Sequence, residues 1–309
     1  MSTGGWPLVV SFGEALTDLV RSGAAQWQSH PGGSTWNLAR ALSKLGVPCA
    51  FAGGISSDVF GQQLLEASLA AGLDERFIQT WDKAPLLAVV HELAPPQYFF
   101  IGDDSADLCF DVQRLPSGWR QALRWAHFGG ISLAREPLAQ RLVALAAELK
   151  SEGKQISFDP NYRLLMDQCF DSTLQRMCEL ADVIKVSDED LRGLFRSSDV
   201  EQGLARIRQW NPQAWLMLTS GADGARLYGA QGAARARPPQ VEVVDTIGAG
   251  DASMAGLIDS LLQHPEGAAD QHLRWAVAAG TAACTQPGSC SPGRETVSAI
   301  AARAECSRI

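Results

Sequence analysis

"VVDTIGAGDASMAG", Val243–Gly256, joins an apolar pair to a run of small residues through two aspartates and two functional-looking glycines. Val243 and Val244 read as the end of a strand. The small residues that follow read as a closely packed helix starting near Asp251. Between them, Gly248 and Gly250 let the backbone turn tightly and bring peptide N–H groups to a ligand without a Cβ in the way. Those N–H groups point from a helix N-terminus, where the dipole favours negative charge. The arrangement suits a phosphate, or the charge that develops on a phosphoryl group during transfer. An acid in the first helical turn is also an ordinary cap. Capping accounts for Asp251, but not for the two glycines, Asp245 or Thr246.

Outward from this stretch, short apolar runs alternate with amphipathic segments. "PLVVSFG", "CAFAGG", "LRWAHFGG", "KQISFDP", "DVIKVS" and "AWLMLTS" read as buried strands. "TWNLARALSKLG" has helical spacing: Trp36, Leu38, Ala39, Leu42 and Leu45 share a face, and Gly46 stops it. "VFGQQLLEASLAAG" reads as a second helix, and further helices are expected over about 137–152, 171–181, 188–195 and 200–210. Such alternation predicts an α/β fold with a mostly parallel sheet covered on both faces. One region breaks the rhythm. "APLLAVVHELAPPQYFFIGDDSAD" holds two β-rich runs with no helix between them, and reads as an antiparallel hairpin. With residues 15–35 it is expected to form a small projecting sheet, a lid built from about 15–35 and 84–112 on a single domain of residues 1–309. "GAARARPPQ" reads as a surface loop or edge strand.

Composition narrows the function classes. The chain has 309 residues, 46% hydrophobic and 19% charged, enough to bury a large core. Its net charge is −8 and no basic stripe is visible, which argues against a nucleic-acid partner. An anionic substrate would need local positive potential. Cysteines stand at 49, 109, 169, 178, 284, 290 and 306, an odd set with no Cys-x-x-Cys. No basic segment leads into an apolar run at the start, and no stretch is apolar enough to span a membrane. A reduced cytoplasmic protein is the expectation. There is no Walker loop, no G-x-G-x-x-G after the first strand, no H-E-x-x-H and no G-x-S-x-G.

"DTIGAGDASMAG" resembles the C-terminal signature of the ribokinase-like (PfkB) family of carbohydrate kinases. "PGGSTWNLARALSKLG" is similar to its N-terminal signature, with the Gly32–Gly33 pair, Asn37 and a glycine beyond the helix. "GGISSDVFGQQLLEASLAAGL" is similar to the next family segment, where Asp58 and Gly61 match D-x-x-G. The resemblance runs in register from about Val9 to Ser291. It implies a three-layer α/β/α fold with a central mostly parallel sheet and a small β lid, and an ATP-dependent sugar kinase. The 86–101 hairpin is expected to leave an exposed edge, and since a single apolar hairpin is not stable alone, a homodimer that pairs two lids is expected to cover it.

The resemblance also implies roles. Asp251 is the base that takes the sugar hydroxyl proton, and the amides of Gly248, Ala249, Gly250 and Asp251 form the anion hole. A carboxylate at a helix N-terminus is expected to have a low pKa, acceptable if the transition state is loose. Asp18, in "GEALTDLV", takes paired sugar hydroxyls; Gly32 and Gly33 permit close approach; Asn37 donates and accepts at once. Trp36 is bulkier than the usual residue there. Thr219, Gly221 and Gly224, in "LTSGADGARLY", lie against the nucleotide, with Lys185 of "DVIKVS". "VSDED" stands in place of the family's N-x-x-E motif, which acts on hydrated Mg2+. Here it reads Ser187-x-x-Asp190, with Glu189 as the alternative acid. Asp245 and the Ile247 carbonyl would bind a monovalent cation such as K+, near the adenine-side segment "RWAVAAGTAACTQPGSCSP".

"FDPNYR" resembles fructokinases and 2-keto-3-deoxygluconate kinases. Arg163 either binds sugar hydroxyls, pairs bidentately with a sugar-acid carboxylate, or is an interior Arg paired with Asp159. The opening segments favour fructose, although "YFFIGDDSAD" lacks the aromatic-Arg ending usual in fructokinases. A non-catalytic sugar- or nucleotide-binding regulator is the reading from another class.

Overall fold

The computed structural model describes residues 5–93, 96–230, 232–289 and 291–309. In chain order its strands and helices are β1 Val9–Phe12, β2 Leu16–Arg21, β3 Trp27–Gly32, α1 Ser34–Lys44, β4 Cys49–Ser56, α2 Val59–Ala70, β5 Ile78–Trp81, β6 Leu87–Leu93 and β7 Pro96–Ile101. There follow β8 Trp125–Gly129, α3 Leu138–Ser151, β9 Gln155–Asp159, α4 Asp171–Leu180, β10 Val183–Ser187, α5 Asp188–Leu194, α6 Val200–Trp210, β11 Trp215–Thr219, β12 Ala225–Gly229 and β13 Gly232–Arg237. The chain closes with α7 Ala249–Gln263, α8 Ala269–Ala283, α9 Arg294–Ala301 and β14 Glu305–Arg308.

The described strands form two sheets. The larger runs β14-β13-β12-β11-β10-β9-β8-β1-β4-β5 and is parallel from β11 to β5. Its strands alternate two buried faces, as a doubly covered sheet requires. Val10, Phe12, Phe128, Phe158 and Ile184 face α3, α4, α5 and α6 through Leu142, Leu174, Leu191 and Leu204. Val9, Trp125, Val183 and Met217 face α1, α2, α7 and α8 through Leu38, Leu64, Leu257 and Leu273. The outcome is a three-layer α/β/α molecule. Strand order reverses at β1, with β4 on one side and β8 on the other. Such a switch point opens a crevice at the carboxyl ends of the strands.

The small sheet has the order β3-β2-β6-β7. β2 and β3 are antiparallel, β6 and β7 are antiparallel, and β2 lies parallel to β6 across the middle. Beyond Ile101 the chain leaves this sheet for short 3-10 turns at Ala106–Cys109 and Val112–Arg114. Residues 94 and 95 of the expected hairpin turn lie outside the described residues.

Two expectations fail. Val243 and Val244 do not end a strand: residues 238–248 carry no helix or strand, and both side chains are exposed. The segment docks instead through Val244 N–H on the Cys284 carbonyl at 2.9 Å, because no neighbouring strand offers a ladder there. "GAARAR" is not an edge, since β13 pairs with both β12 and β14. The D-x-x-G segment has a plain physical basis. Asp58 caps α2 by accepting the N–H groups of Phe60 and Gly61, and a Cβ at Gly61 would fall 1.7 Å from the Ser56 carbonyl oxygen.

Candidate active site

The first turn of α7 faces the crevice. Gly248 is its N-cap in a left-handed conformation, φ 76°, and the helix begins at Ala249, two residues before the expected start. The left-handed residue is thus Gly248, and the reason for glycine at 250 is different. A Cβ on Gly250 would sit 3.3 Å from Cε and Nζ of Lys185. The ammonium group therefore lies directly beneath the helix mouth. The Ala249 N–H is taken by the Thr246 carbonyl at 3.2 Å. The N–H groups of Gly250 and Asp251 lie in the first turn, where no earlier helical carbonyl reaches them. These two N–H groups stand together with Lys185 at the helix mouth.

Lys185 comes from β10 and is 4% exposed. Its Nζ pairs with Asp159 Oδ2, from the end of β9, at 2.7 Å. Burial opposes its charge, but Asp159 and Asp190 outweigh burial and raise its pKa, so the ammonium persists. Asp159 therefore pairs with Lys185, not with Arg163 as the interior-Arg alternative had it.

Asp251 and Asn37 meet across the crevice. Asn37 Nδ2 donates to Asp251 Oδ2 at 2.9 Å, joining α1 to α7. Asn37 Oδ1 is buried with no partner among the described residues, which leaves it free to accept from a ligand hydroxyl. Asp251 departs from expectation. Burial raises its pKa to about 7, the Asn37 amide pulling the other way, with Asp159 adding to the rise. Desolvation on this scale exceeds the pull of a helix N-terminus.

Asp18, on β2, has a pKa raised by burial to about 6 against the pull of Arg163. Gly32 lies on the neighbouring strand, and a Cβ there would be 2.3 Å from Asp18 Oδ2. Gly33 has φ 112°, and a Cβ would meet the Glu14 carbonyl oxygen at 2.6 Å. Both glycines make room for Asp18 and for the sharp entry into α1. Arg163, in the loop after β9, lowers the pKa of both Asp18 and Asp251, so it lies within electrostatic reach of both. Its Nη1 donates to the carbonyls of Asn161 and Tyr162 and to Asn161 Oδ1, at 2.7–3.0 Å.

The remaining residues spread outward. Thr219 ends β11 in register with Ser187, and Gly221 is exposed with φ 53° and open space beside it. Gly224 faces inward: a Cβ would strike the Ala236 carbonyl at 2.0 Å, so glycine there is a packing demand of β13. Asp190 is 6% exposed, and both its oxygens accept peptide N–H groups, from Tyr162 at 2.8 Å and Ser187 at 2.7 Å. Glu189 is exposed. Asp245 braces the glycine turn: Oδ1 accepts from Ile247 N–H at 3.0 Å and Oδ2 from Gly288 N–H at 2.9 Å.

A sequence model of the pfkB family of carbohydrate kinases matches residues 7–296. The chain belongs to this family. The fructokinase of Klebsiella pneumoniae is 33% identical over 260 residues, covering 82% of this chain and 83% of that one. Among solved structures, the fructokinase of Vibrio cholerae O395 with fructose, ADP and calcium bound has a TM-score of 0.83 at 28% identity, covering 94% and 98%. The aminoimidazole riboside kinase of Salmonella enterica, with aminoimidazole riboside and an ATP analogue, has a TM-score of 0.83 at 26% identity, covering 95% and 99%.

The sequence did not single out Glu14 or Tyr98, and it left the partner of Asp159 open. Glu14 is buried at the end of β1, where it accepts from Ser132 Oγ at 2.6 Å and ties the sugar-side turn to the segment after β8. Asp159 was visible in the sequence, but its partner was not. Tyr98 reaches from β7 toward Arg163, whose Cζ lies 5.6 Å from the ring centroid. The signal for Tyr98 was strand alternation, which puts it with Phe100 on one face and Phe99 on the other. A cavity of about 510 Å³ opens beside it, with Tyr98, Phe100, Arg135, Leu164 and Leu165 in its lining and neither Asn37 nor Asp251 among the lining residues.

Proposed function

We propose that this carbohydrate kinase transfers the γ-phosphoryl group of ATP to a hydroxyl of fructose. The observation that carries the reading is the Asn37–Asp251 hydrogen bond, which sets a raised-pKa carboxylate between a polar pocket and a helix mouth with free N–H groups. In that reading the sugar lies among Asp18, Asn37 and Arg163. Its reacting hydroxyl gives its proton to Asp251. The γ-phosphoryl group approaches the N–H groups of Gly250 and Asp251, with Lys185 beneath, and catalysis is mainly positioning and charge stabilisation. Thr219 and Gly221 border the phosphates and ribose. The exposed Val243, Val244 and Ile247 offer apolar surface to the adenine beside the loop after α8.

Fructose is preferred to a sugar acid on electrostatic grounds. The charge of Arg163 already acts on two carboxyls, Asp18 and Asp251, so a third carboxylate would compete with them for the guanidinium. Fructokinase relatives support the same substrate. A phosphorylated sugar is disfavoured because few basic residues stand near the pocket, and Arg135 is held by the buried Asp107.

Mg2+ enters on the ATP phosphates as part of the substrate. The residues do not offer it a ready protein ligand: the Asp190 oxygens each accept a peptide N–H, and among the described residues no three acidic, His or Cys groups are arranged to hold a metal ion. Asp245 accepts one N–H on each oxygen, which leaves lone pairs that could face K+, and no step is routed through either ion. Residues 1–309 are read as one catalytic unit, with the small sheet as its lid. The edges β3 and β7 and the exposed Trp27, Phe99 and Ile101 support pairing of two lids in a homodimer. Six described cysteines are free, which supports a cytoplasmic setting. No helix among the described residues is long and apolar enough to cross a membrane.

The test is ADP formation with Mg·ATP over a panel of fructose, glucose, ribose and 2-keto-3-deoxygluconate. Fructose should give the highest kcat/KM. A higher value for the keto acid would overturn the substrate and leave the kinase standing. Sugar binding without any sugar-dependent ADP would overturn catalysis itself.

A further inference from the structure

The loop that carries Arg163 is held in an unusual shape. Asn161 has φ 46°, a left-handed conformation that is uncommon outside glycine. Three contacts hold it there. Asp159 Oδ1 accepts the Asn161 N–H at 3.1 Å. Asp190 Oδ1 accepts the Tyr162 N–H at 2.8 Å. The Tyr162 ring lies on α5 at Gly193, where a Cβ would fall 2.2–2.6 Å from ring carbons. Asp190 is itself locked. Its Oδ2 accepts the Ser187 N–H at 2.7 Å, and Ser187 Oγ accepts the Asp190 N–H at 2.9 Å, a reciprocal capping box. Arg163 in turn takes its bearing from the loop, through the carbonyls of Asn161 and Tyr162.

We propose that Asp190 is a positioning residue for the sugar pocket: with Gly193 it seats the Asn161–Arg163 loop on α5, and it does not serve the metal. A hydrated Mg2+ needs accessible carboxylate oxygen. Asp190 is 6% exposed, with each oxygen already bonded to a peptide N–H. An N–H bond from another segment, 28 residues away, is the contact that couples α5 to Arg163. The inference rests on Arg163 touching the sugar, as proposed above.

The experiment is steady-state kinetics of Asp190→Asn, Gly193→Ala, Arg163→Ala and the Asp190→Asn/Arg163→Ala pair, varying sugar, ATP and Mg2+ separately. Calorimetric sugar binding without ATP repeats the sugar arm independently of turnover. Asp190→Asn and Gly193→Ala should each weaken sugar binding and raise the sugar KM by about 10-fold, roughly one misplaced hydrogen bond. The ATP KM and the half-saturating Mg2+ should stay within about twofold of the parent, since a uniform binding loss at one site leaves the other alone. The pair should be no worse for sugar than Arg163→Ala alone. An unchanged sugar KM, a raised Mg2+ requirement, or independent multiplication in the pair would each overturn the inference. If Asp190→Asn does not fold, Gly193→Ala decides, because alanine favours the helix and the nearest atoms its Cβ would meet are those of the Tyr162 ring. A parent that neither binds nor turns over sugar overturns the functional reading. An active parent without the split overturns this inference alone.

Discussion

Asp251 is the third residue of α7, where the helix N-terminus favours a carboxylate, yet its pKa stands at about 7. A helix terminus contributes about 0.3–1 kcal/mol at an exposed site, less than one pKa unit, while burying a charge without a full partner costs several times that. Burial therefore wins. A base near neutrality is better matched to proton removal than the weak base expected from the dipole. The acid limb of the kcat/KM profile should follow this group, falling about tenfold per pH unit below 7. Asp251→Asn should remove that limb and cost at least about 10²-fold in kcat, with ATP affinity nearly intact because the N–H groups remain. Turnover near the parental rate would place the base elsewhere. The same shift has a stability sign. A raised Asp pKa means the folded state resists ionisation, so the cost is absent below the unfolded pKa near 4, grows with pH, and is complete above about 7. Thermal melts should show Asp251→Asn gaining on the parent between pH 4 and 7 and holding that gain at pH 8.

At the scale of elements, the site is assembled where β1, β9, β10 and the first turns of α1 and α7 end together. The loop after β9 is the least regular of these, and it carries Arg163. Arg163→Ala should raise the sugar KM by about 10- to 100-fold, since the pocket loses a charged donor and its loop loses three hydrogen bonds. Arg163→Lys discriminates between substrates. With a neutral ketose, an ammonium group can still reach neutral oxygen acceptors, and sugar KM should recover most of the way. With a sugar acid, the lost bidentate fork should leave Lys little better than Ala. Sugar KM values for the two variants, measured on fructose and on the keto acid, settle which holds.

Across the whole molecule, the small sheet is the part with edges left to pair. β3 and β7 leave both of its edges open, and Phe99 and Ile101 are each 51% exposed. Open edges with apolar side chains are sites of pairing. The protein is expected to be a dimer at micromolar concentration by light scattering. Phe99→Asp, on the outward face of β7, should yield monomers with weakened sugar binding and an unaltered fold by circular dichroism. A fully active monomeric parent would refute lid pairing.

Helix limits such as 137–152, against Leu138–Ser151, follow from local periodicity and caps, which act over a few residues. The residue types of the site are legible for the same reason, because the glycine turn and its aspartate are contiguous. Where burial or a distant partner decides, the sequence is silent. Asp251 meets an amide 214 residues away, and Asp159 takes Lys185, 26 residues on, in preference to the nearer Arg163. Val243 and Val244 have strand propensity but no adjacent strand to pair with, so they remain exposed. Gly224 answers to β13, and Asp190 to a loop that a different strand delivers. Periodicity sets which segments fold as strands and helices. Desolvation and the choice among competing hydrogen-bond partners are set only when the layers pack, because both depend on which groups exclude water from a given atom.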